Sequence, residues 1–191
     1  MATICVYGAA REQIDPHYIE MTERLGKLIG THGHKIIYGA GATGLMGAVA
    51  RGVDSVGGTV IGVTPHFMHK FEPIYGCTKT IETKTMAERK NVMEKKANAF
   101  IVVPGGIGTL DEFFQILTLK ELGQLAKKPI VLFNIDGFYD ELYAAILAAK
   151  NKGFLREGAL ELFTVCKTPE AAVGEIEQQL EEIEEDEDDE D

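Results

Sequence analysis

The sequence has few cysteines, no long apolar run and no concentration of basic residues. Its three cysteines are odd in number and far apart, at Cys5, Cys77 and Cys166, which fits neither a disulfide framework nor the ligand spacing of a zinc site. No stretch reaches the ~18 apolar residues of a membrane span, and the start MATICVYG has no basic region or cleavage site of a secretion signal. These absences argue against membrane and secreted classes and favour a cytoplasmic protein. The lack of a basic cluster also argues against nucleic-acid binding.

The acidity of the chain is confined to its end. Ten of the eleven residues from 181 to 191 are acidic, and without these ten the formal charge of −11 falls to −1. A run of like charge with one apolar residue repels itself and cannot build a core. The chain has 191 residues, of which 45% are hydrophobic, enough for one domain. We therefore expect a folded domain over residues 1–180 and a disordered acidic tail over residues 181–191.

Short apolar runs alternate with helical patterns along residues 1–180. Strands are predicted over residues 3–7, 35–38, 59–63, 99–103, 129–133 and 162–165. Helices are predicted over residues 16–31, 85–97 and 139–150, after Gly44, after Thr109 and from Thr168, whereas residues 64–80 read as a long irregular loop. Such alternation predicts a doubly wound, Rossmann-like α/β domain with a mainly parallel sheet, whose ligands bind outside the carboxyl ends of the strands.

The most informative stretch is PGGIGTLDE, from Pro104 to Glu112, between a buried strand and a helix. Its glycines predict a tight turn with positive φ angles and leave backbone N–H groups uncovered at a helix N-terminus; they are Gly105, Gly106 and Gly108. Such a terminus favours an anion such as phosphate, and the Thr109 hydroxyl could cap the helix or bind that phosphate. Glu112, one turn further on, is better placed to act on whatever the phosphate carries. The alternative is a purely structural turn with a dipole-favoured acid.

Two familiar nucleotide motifs fit poorly. Gly39, Gly41 and Gly44 follow a strand in the pattern G-x-G-x-x-G, but no acid follows about 20 residues later, as a dinucleotide site requires. No Walker G-K-[ST] is present, which argues against hydrolysis of nucleoside triphosphates.

Three motifs taken in order resemble the Lonely Guy family, whose members are cytokinin riboside 5′-monophosphate phosphoribohydrolases. They are Gly44-Leu45-Met46-Gly47, then Met86 with Glu88-Arg89-Lys90, then PGGIGTLDE, and the resemblance covers residues 3 to about 167. It implies a Rossmann-like homodimer that hydrolyses the N-glycosidic bond of an adenine-type nucleoside monophosphate, giving free base and ribose 5-phosphate. It implies no metal and no redox cofactor.

The same resemblance assigns roles to individual residues. Glu112 matches the catalytic carboxylate, Arg89 the catalytic arginine and Lys90 a substrate contact. The glycines at 105, 106 and 108, with Thr109, match the phosphate-holding loop. Thr118 falls where another substrate-side threonine is expected, and Met86 could line the base pocket. A carboxylate suits this chemistry because it can stabilise the oxocarbenium-like transition state and position water.

Several alternatives remain open from the sequence. A nucleotide-binding carrier or regulator could use the same fold, and the substrate could be AMP or a cytokinin riboside monophosphate. Lysine decarboxylation is disfavoured because no lysine is marked as a pyridoxal carrier. His66 and His69 could bind a metal, but no third ligand is placed, and structural or exposed histidines are the simpler interpretation. The helix after Thr109 is apolar on more than one stripe, which predicts a dimer contact through Phe114 and Leu117.

Overall fold

A computed structural model describes residues 1–125 and 127–188, and its centre is a parallel sheet of seven strands. The strands are β1 (Thr3–Tyr7), β2 (Lys35–Tyr38), β3 (Val60–Pro65), β4 (Lys79–Thr83), β5 (Ala99–Val102), β6 (Ile130–Phe133) and β7 (Thr164–Cys166). The helices are α1 (Pro16–Thr31), α2 (Gly44–Asp54), α3 (Met86–Lys96), α4 (Ile107–Glu121), α5 (Asp140–Asn151) and α6 (Pro169–Asp188). The strand order is β4-β3-β2-β1-β5-β6-β7 and every ladder is parallel, which confirms the predicted fold class.

The central strands are apolar throughout because helices cover both faces of the sheet. The side chains of β5 and β6 are fully buried, and alternate residues enter two separate cores. Val6 and Ile101 face the core under α1 and α2, while Tyr7 and Phe100 face the core under α4. The strand order reverses between β1 and β5, which is where a doubly wound sheet opens a ligand crevice.

Side-chain caps set where two helices begin. The carboxylate of Asp15 accepts the His17 N–H at the start of α1, with Pro16 at the first helical position. Thr85 caps α3 because its hydroxyl oxygen accepts the Glu88 N–H, and the Glu88 carboxylate in turn accepts the Lys84 N–H. The second cap fixes the helix that carries Arg89 and Lys90.

The prediction of a loop over residues 64–80 is wrong in part, because this span contains a 3-10 helix (His66–Lys70) and the first two residues of the edge strand β4. The sequence KTIET of β4 contains a single apolar residue, Ile81, so it lacks the apolar run that marks a buried strand. An edge strand exposed on one side does not need that run.

The last helix also differs from its prediction. It continues to Asp188, so residues 181–188, expected to be disordered, are helical, while residues 189–191 lie outside the described residues. Ala172, Val173 and Ile176 pack into the core, and Leu180 packs against it. Because the core already holds the first turns of this helix, no new nucleation is needed, and each further residue that joins the helix adds one hydrogen bond. Among the described residues, no helix has the length and apolar character to cross a membrane.

Candidate functional site

A cleft of about 1050 Å³ lies where the strand order reverses, at the carboxyl ends of β1 and β5. One wall is the turn Gly8-Ala9-Ala10-Arg11 after β1, and the other is the turn Pro104-Gly105-Gly106 with the start of α4. The side chains of Met86, Arg89 and Lys90 reach the cleft from α3. The cleft therefore gathers all but one of the sequence-predicted site residues.

The glycines of the second wall serve different purposes, and none of them adopts the predicted positive φ. A Cβ on Gly105 would lie 2.1 Å from Oγ1 of Thr109, so Gly105 is required by packing. Cβ atoms on Gly106 or Gly108 would meet nothing within 4 Å among the described residues, although both line the cleft. The fold does not demand glycine at these two positions. Their lack of side chains keeps the space in front of the helix open.

The first turn of α4 has free N–H groups that face this space. Gly106 is the N-cap residue, and Thr109 is the third helical residue rather than the cap. Within the described chain, the N–H groups of Ile107, Gly108 and Thr109 have no backbone acceptor. Unpaired N–H donors and the helix dipole together favour binding of an anion. We call this first turn of α4 the anion seat.

The start of α2 offers no comparable seat. The N–H groups of Leu45 and Met46 both donate to the Ala9 carbonyl, at 2.9 and 3.2 Å. Gly44 has a φ of +59° and lies against the backbone of Ala9 and Arg11. In the G-x-G-x-x-G pattern at Gly39, Gly41 and Gly44, Gly44 therefore serves to pack one turn against another. This agrees with the absence of the acid that a dinucleotide site requires.

Glu112 is almost completely buried beside the anion seat and pairs with Arg89. Nη2 of Arg89 donates to Oε1 of Glu112 at 3.0 Å, and the two side chains are only 12% and 10% exposed. Burial raises the pKa of Glu112 to about 7, and the positive charge of Arg89 only partly offsets that rise. A carboxyl group that titrates near neutral pH can both carry charge and exchange a proton.

Two residues near Arg89 were missed by the sequence interpretation, Gly39 and Glu72. A Cβ on Gly39 would lie 2.7 Å from Nη2 of Arg89, so this glycine makes room for the guanidinium. Burial raises the pKa of the Glu72 carboxyl group, and the charge of Arg89 partly offsets that rise. Within the described residues, Nε of Arg89 is buried without a hydrogen-bond partner. The hydrogen bond at Nη2 thus holds the guanidinium, and its Nε remains an unpaired donor.

Lys90 and Met86 complete the α3 side of the cleft. Nζ of Lys90 pairs with Oδ2 of Asp111 at 2.9 Å, and the lysine side chain is 18% exposed while Asp111 is 62% exposed. Sδ of Met86 lies 4.0 Å from Nη1 of Arg89. Asp111 was not predicted as a site residue, although its place next to Glu112 in the motif was a signal.

Comparisons with known proteins agree with this geometry. A protein-family model described as "Possible lysine decarboxylase" matches residues 46–176. The cytokinin riboside 5′-monophosphate phosphoribohydrolase LOG of Oryza sativa subsp. japonica is 36% identical over 95% of this chain and 75% of its own length. The enzyme of the same name from Rhodococcoides fascians is 34% identical over 91% of this chain and 88% of its own. The chain belongs to the Lonely Guy family.

Solved structures with the same fold include proteins of another kind. The molybdenum cofactor carrier protein of Chlamydomonas reinhardtii aligns with a TM-score of 0.70 and 25% identity, over 94% of this chain and 98% of its own. A second structure, TM1055, aligns with the same TM-score at 22% identity and supports the fold alone. The scaffold of the Lonely Guy family is therefore shared with a carrier.

Thr118 is the one predicted site residue that this Lonely Guy protein does not bring to the cleft. It lies on the exposed face of α4, and its hydroxyl donates to the Phe114 carbonyl at 2.8 Å. Thr118 follows Glu112 by six residues, which is more than one and a half turns of helix and a different face. Thr118 therefore does not line the cleft of its own chain.

The far wall of the cleft holds residues that the sequence interpretation did not assign to the site. Ile14, Asp15 and Tyr18 at the start of α1, together with Phe138 and Arg11, line this side. The rings of Tyr18 and Phe138 meet edge to face, with centroids 6.1 Å apart. The wall thus offers two aromatic rings among polar side chains, and aromatic rings are suited to a flat heterocyclic base.

Proposed function

We propose that this protein hydrolyses the N-glycosidic bond of a purine nucleoside 5′-monophosphate, AMP or a cytokinin riboside monophosphate, to free base and ribose 5-phosphate. One observation carries this: a buried Glu112–Arg89 pair lies one helical turn inside the anion seat of α4. The names of the rice and Rhodococcoides relatives support the same reaction. We place the reaction in the cytoplasm, since the three cysteines are free.

The 5′-phosphate is held at the first turn of α4, where the N–H groups of Ile107, Gly108 and Thr109 lack backbone acceptors. Binding the phosphate there directs the ribose toward Glu112. Remote phosphate binding can then lower the barrier at the glycosidic bond, because it fixes the reacting carbon beside the carboxylate. Lys90, held by Asp111, adds positive charge on the same side.

Glu112 in its ionised form stabilises the positive charge that develops on the ribose as the bond to the base lengthens. It also positions the attacking water and takes its proton, which a pKa of about 7 permits. Arg89 orients the carboxylate through Nη2. The aromatic wall of Tyr18 and Phe138, with Met86, receives the base.

We also propose that the protein works as a homodimer that pairs through α4. A stripe on the outer face of this helix is apolar and exposed: Ile107 is 89% exposed, Phe114 42% and Leu122 59%. Thr118 lies on this stripe, one turn from both Phe114 and Leu122. Exposed apolar stripes of this kind mark interfaces, and two-fold pairing would bury the stripe against its own copy. Leu117, by contrast, packs into the protein's own core.

The proposed reaction is tested directly by incubating the protein with AMP and measuring the released adenine by chromatography. Adenosine and a cytokinin riboside monophosphate form the rest of the panel. We expect free base from the monophosphates and a much lower kcat/KM for adenosine, which has no anion for the α4 seat. Equal kcat/KM for adenosine and AMP would refute the phosphate assignment.

A carrier that binds nucleotides without turnover is the second candidate, favoured by the fold shared with the molybdenum cofactor carrier. The same panel separates the two functions. A carrier would bind the monophosphates in calorimetry yet release no base after prolonged incubation. The buried Glu112–Arg89 pair favours the enzyme, because anion binding alone requires only the helix N-terminus.

A further inference from the structure

A cluster of potential metal ligands lies apart from the cleft, at the carboxyl ends of β3 and β4. Nδ1 of His66 and Nε2 of His69 each lie 3.7 Å from an oxygen of the Glu82 carboxylate. One ligand atom from each of the three residues lies within 4.8 Å of the others. Among the described residues, this is the group of three His, Cys, Asp or Glu side chains that meets that criterion. The sequence suggested the two histidines but not the third ligand.

Local geometry explains why the three side chains meet. His66 and His69 are three residues apart in the 3-10 helix His66–Lys70, and a 3-10 helix has three residues per turn, so the two share one face. The parallel register of β3 and β4 pairs Thr64 with Glu82. The carboxylate is therefore set beside the chain two residues before His66. The arrangement follows from two regular elements rather than from a chance meeting of loops.

We propose that His66, His69 and Glu82 form a binding site for a divalent transition-metal ion such as Zn²⁺. Two imidazoles and one carboxylate are a ligand set that such ions accept, leaving further positions for water. The set does not suit Mg²⁺, which prefers an all-oxygen shell. Ligand atoms must approach to roughly 2.0–2.2 Å of the ion, so the three side chains must close from their present separations. All three are exposed, and their rotation meets no packed core.

A bound ion would stabilise the position of the 3-10 helix His66–Lys70, which makes few contacts with the core. No residue of the 3-10 helix His66–Lys70 is buried. The chain beyond it is anchored: Ala42 N–H donates to the Pro73 carbonyl at 3.0 Å, and Tyr75 N–H donates to the Ala40 carbonyl at 2.9 Å. A metal bridge from this helix to β4 would anchor its near end as well. Between the two anchors lies Glu72, and the positive charge of Arg89 partly offsets the rise that burial causes in the pKa of its carboxyl group.

Titration of the full-length protein with ZnCl₂ in a calorimeter, after treatment with EDTA and desalting, tests the site. We expect one Zn²⁺ per chain, and binding weakened about tenfold or more in the single variants His66→Ala, His69→Ala and Glu82→Gln, because loss of an outer-shell partner alone costs about that much. MgCl₂ should give no saturable heat. Added Zn²⁺ should raise the melting temperature of the wild type but not of the His69→Ala variant, since an ion that binds only the folded state stabilises it.

His32→Gln is the matched control. His32 also pairs with a glutamate, Glu177, at 2.9 Å, but lies on another part of the surface. The control should bind Zn²⁺ as the wild type does. Unchanged stoichiometry and affinity in a His66→Ala/His69→Ala double variant would overturn the proposal, as would an equal loss in His32→Gln. These measurements need no substrate, so their outcome is independent of the proposed hydrolysis.

Discussion

Arg89 and Glu112 form a nearly buried ion pair in which Nη2 of the arginine lies 3.0 Å from Oε1 of the carboxylate. The pair joins α3 to α4 across the floor of the cleft. Burial of the carboxylate outweighs the attraction of the guanidinium, and this leaves the pKa of Glu112 near neutral.

Replacing Glu112 with glutamine should strongly reduce turnover while nucleotide binding persists. The amide keeps the size of the side chain but loses the charge that stabilises the transition state, a loss worth roughly 10²–10³ in kcat for comparable preorganised groups. Adenine release measures turnover, and calorimetry with AMP measures binding. Hydrolysis near the wild-type rate would remove Glu112 from its catalytic role.

The activity should rise as the pH increases through about 7, because the proposed reaction requires the ionised form of Glu112. Stability should change in the opposite direction. The folded state holds this proton more tightly than the unfolded state, so the stabilisation from the bound proton is complete at acid pH and disappears as the pH rises through about 7. The melting temperature of the wild type should therefore fall relative to that of the Glu112→Gln variant between pH 5 and pH 8. A constant difference between the two would contradict the raised pKa.

Replacing Gly39 with alanine should lower kcat with little change in melting temperature. The new Cβ would stand 2.7 Å from Nη2 of Arg89 and displace the guanidinium from Glu112. We expect a loss of about tenfold or more, as misplacement of a catalytic group by 1 Å can cost about 10²-fold. Gly41→Ala in the same turn is the control, because its Cβ would make only ordinary contacts at 3.5 Å. Equal kinetics in the two variants would count against a positioning role for Gly39.

Replacing Gly108 with alanine should stabilise the fold and weaken AMP binding at once. Gly108 lies in the first turn of α4 with open space around its Cα, and alanine in a helix is favoured over glycine by roughly 0.5–1 kcal/mol. The added methyl group enters the space in front of the helix N-terminus. A higher melting temperature with a higher KM is the expected result. Unchanged KM would show that phosphate binds elsewhere.

Replacing Phe114 with glutamate should dissociate the proposed dimer without unfolding the chain. Phe114 is 42% exposed, so a charge there is tolerated in the monomer but not in an apolar interface. Light scattering reports the oligomeric state and circular dichroism the fold. The control is Phe154→Glu, since Phe154 is 80% exposed and lies outside α4. An active wild-type monomer at assay concentration would refute the dimer.

The sequence predicted most of what regular elements determine. Buried strands such as Ala99–Val102 carry an unbroken apolar run, and Asp15-Pro16 marks a helix start, so both were recognised. The motif PGGIGTLDE placed Glu112 and the glycine loop at the correct edge of the sheet because a strand and a helix flank it. These signals are local in the chain.

What the sequence missed depends on contacts between distant segments. The need for Gly39 comes from a guanidinium 50 residues further along the chain, and Glu82 reaches His66 only through the register of β4. The edge strand itself has a single apolar residue and no run to recognise. The loop glycines were assigned positive φ, whereas packing against Thr109 is what requires Gly105. Thr118 was assigned from the family resemblance, which does not reveal that this residue lies on the exposed face of α4.

The pairing of β1 with β5 has a consequence for the chain as it is synthesised. The Thr3 N–H donates to the side chain of Asn98, 95 positions later, at the point where these strands join. A nascent chain that has emerged only as far as α3 can form β1 to β4, but β1 is then the border of the sheet rather than its middle. The edge of β1 that pairs with β5 in the finished protein, from Ile4 to Tyr7, is then open. An uncovered apolar strand edge is a template for aggregation, so translational pausing before β5 would expose this protein at its most vulnerable stage.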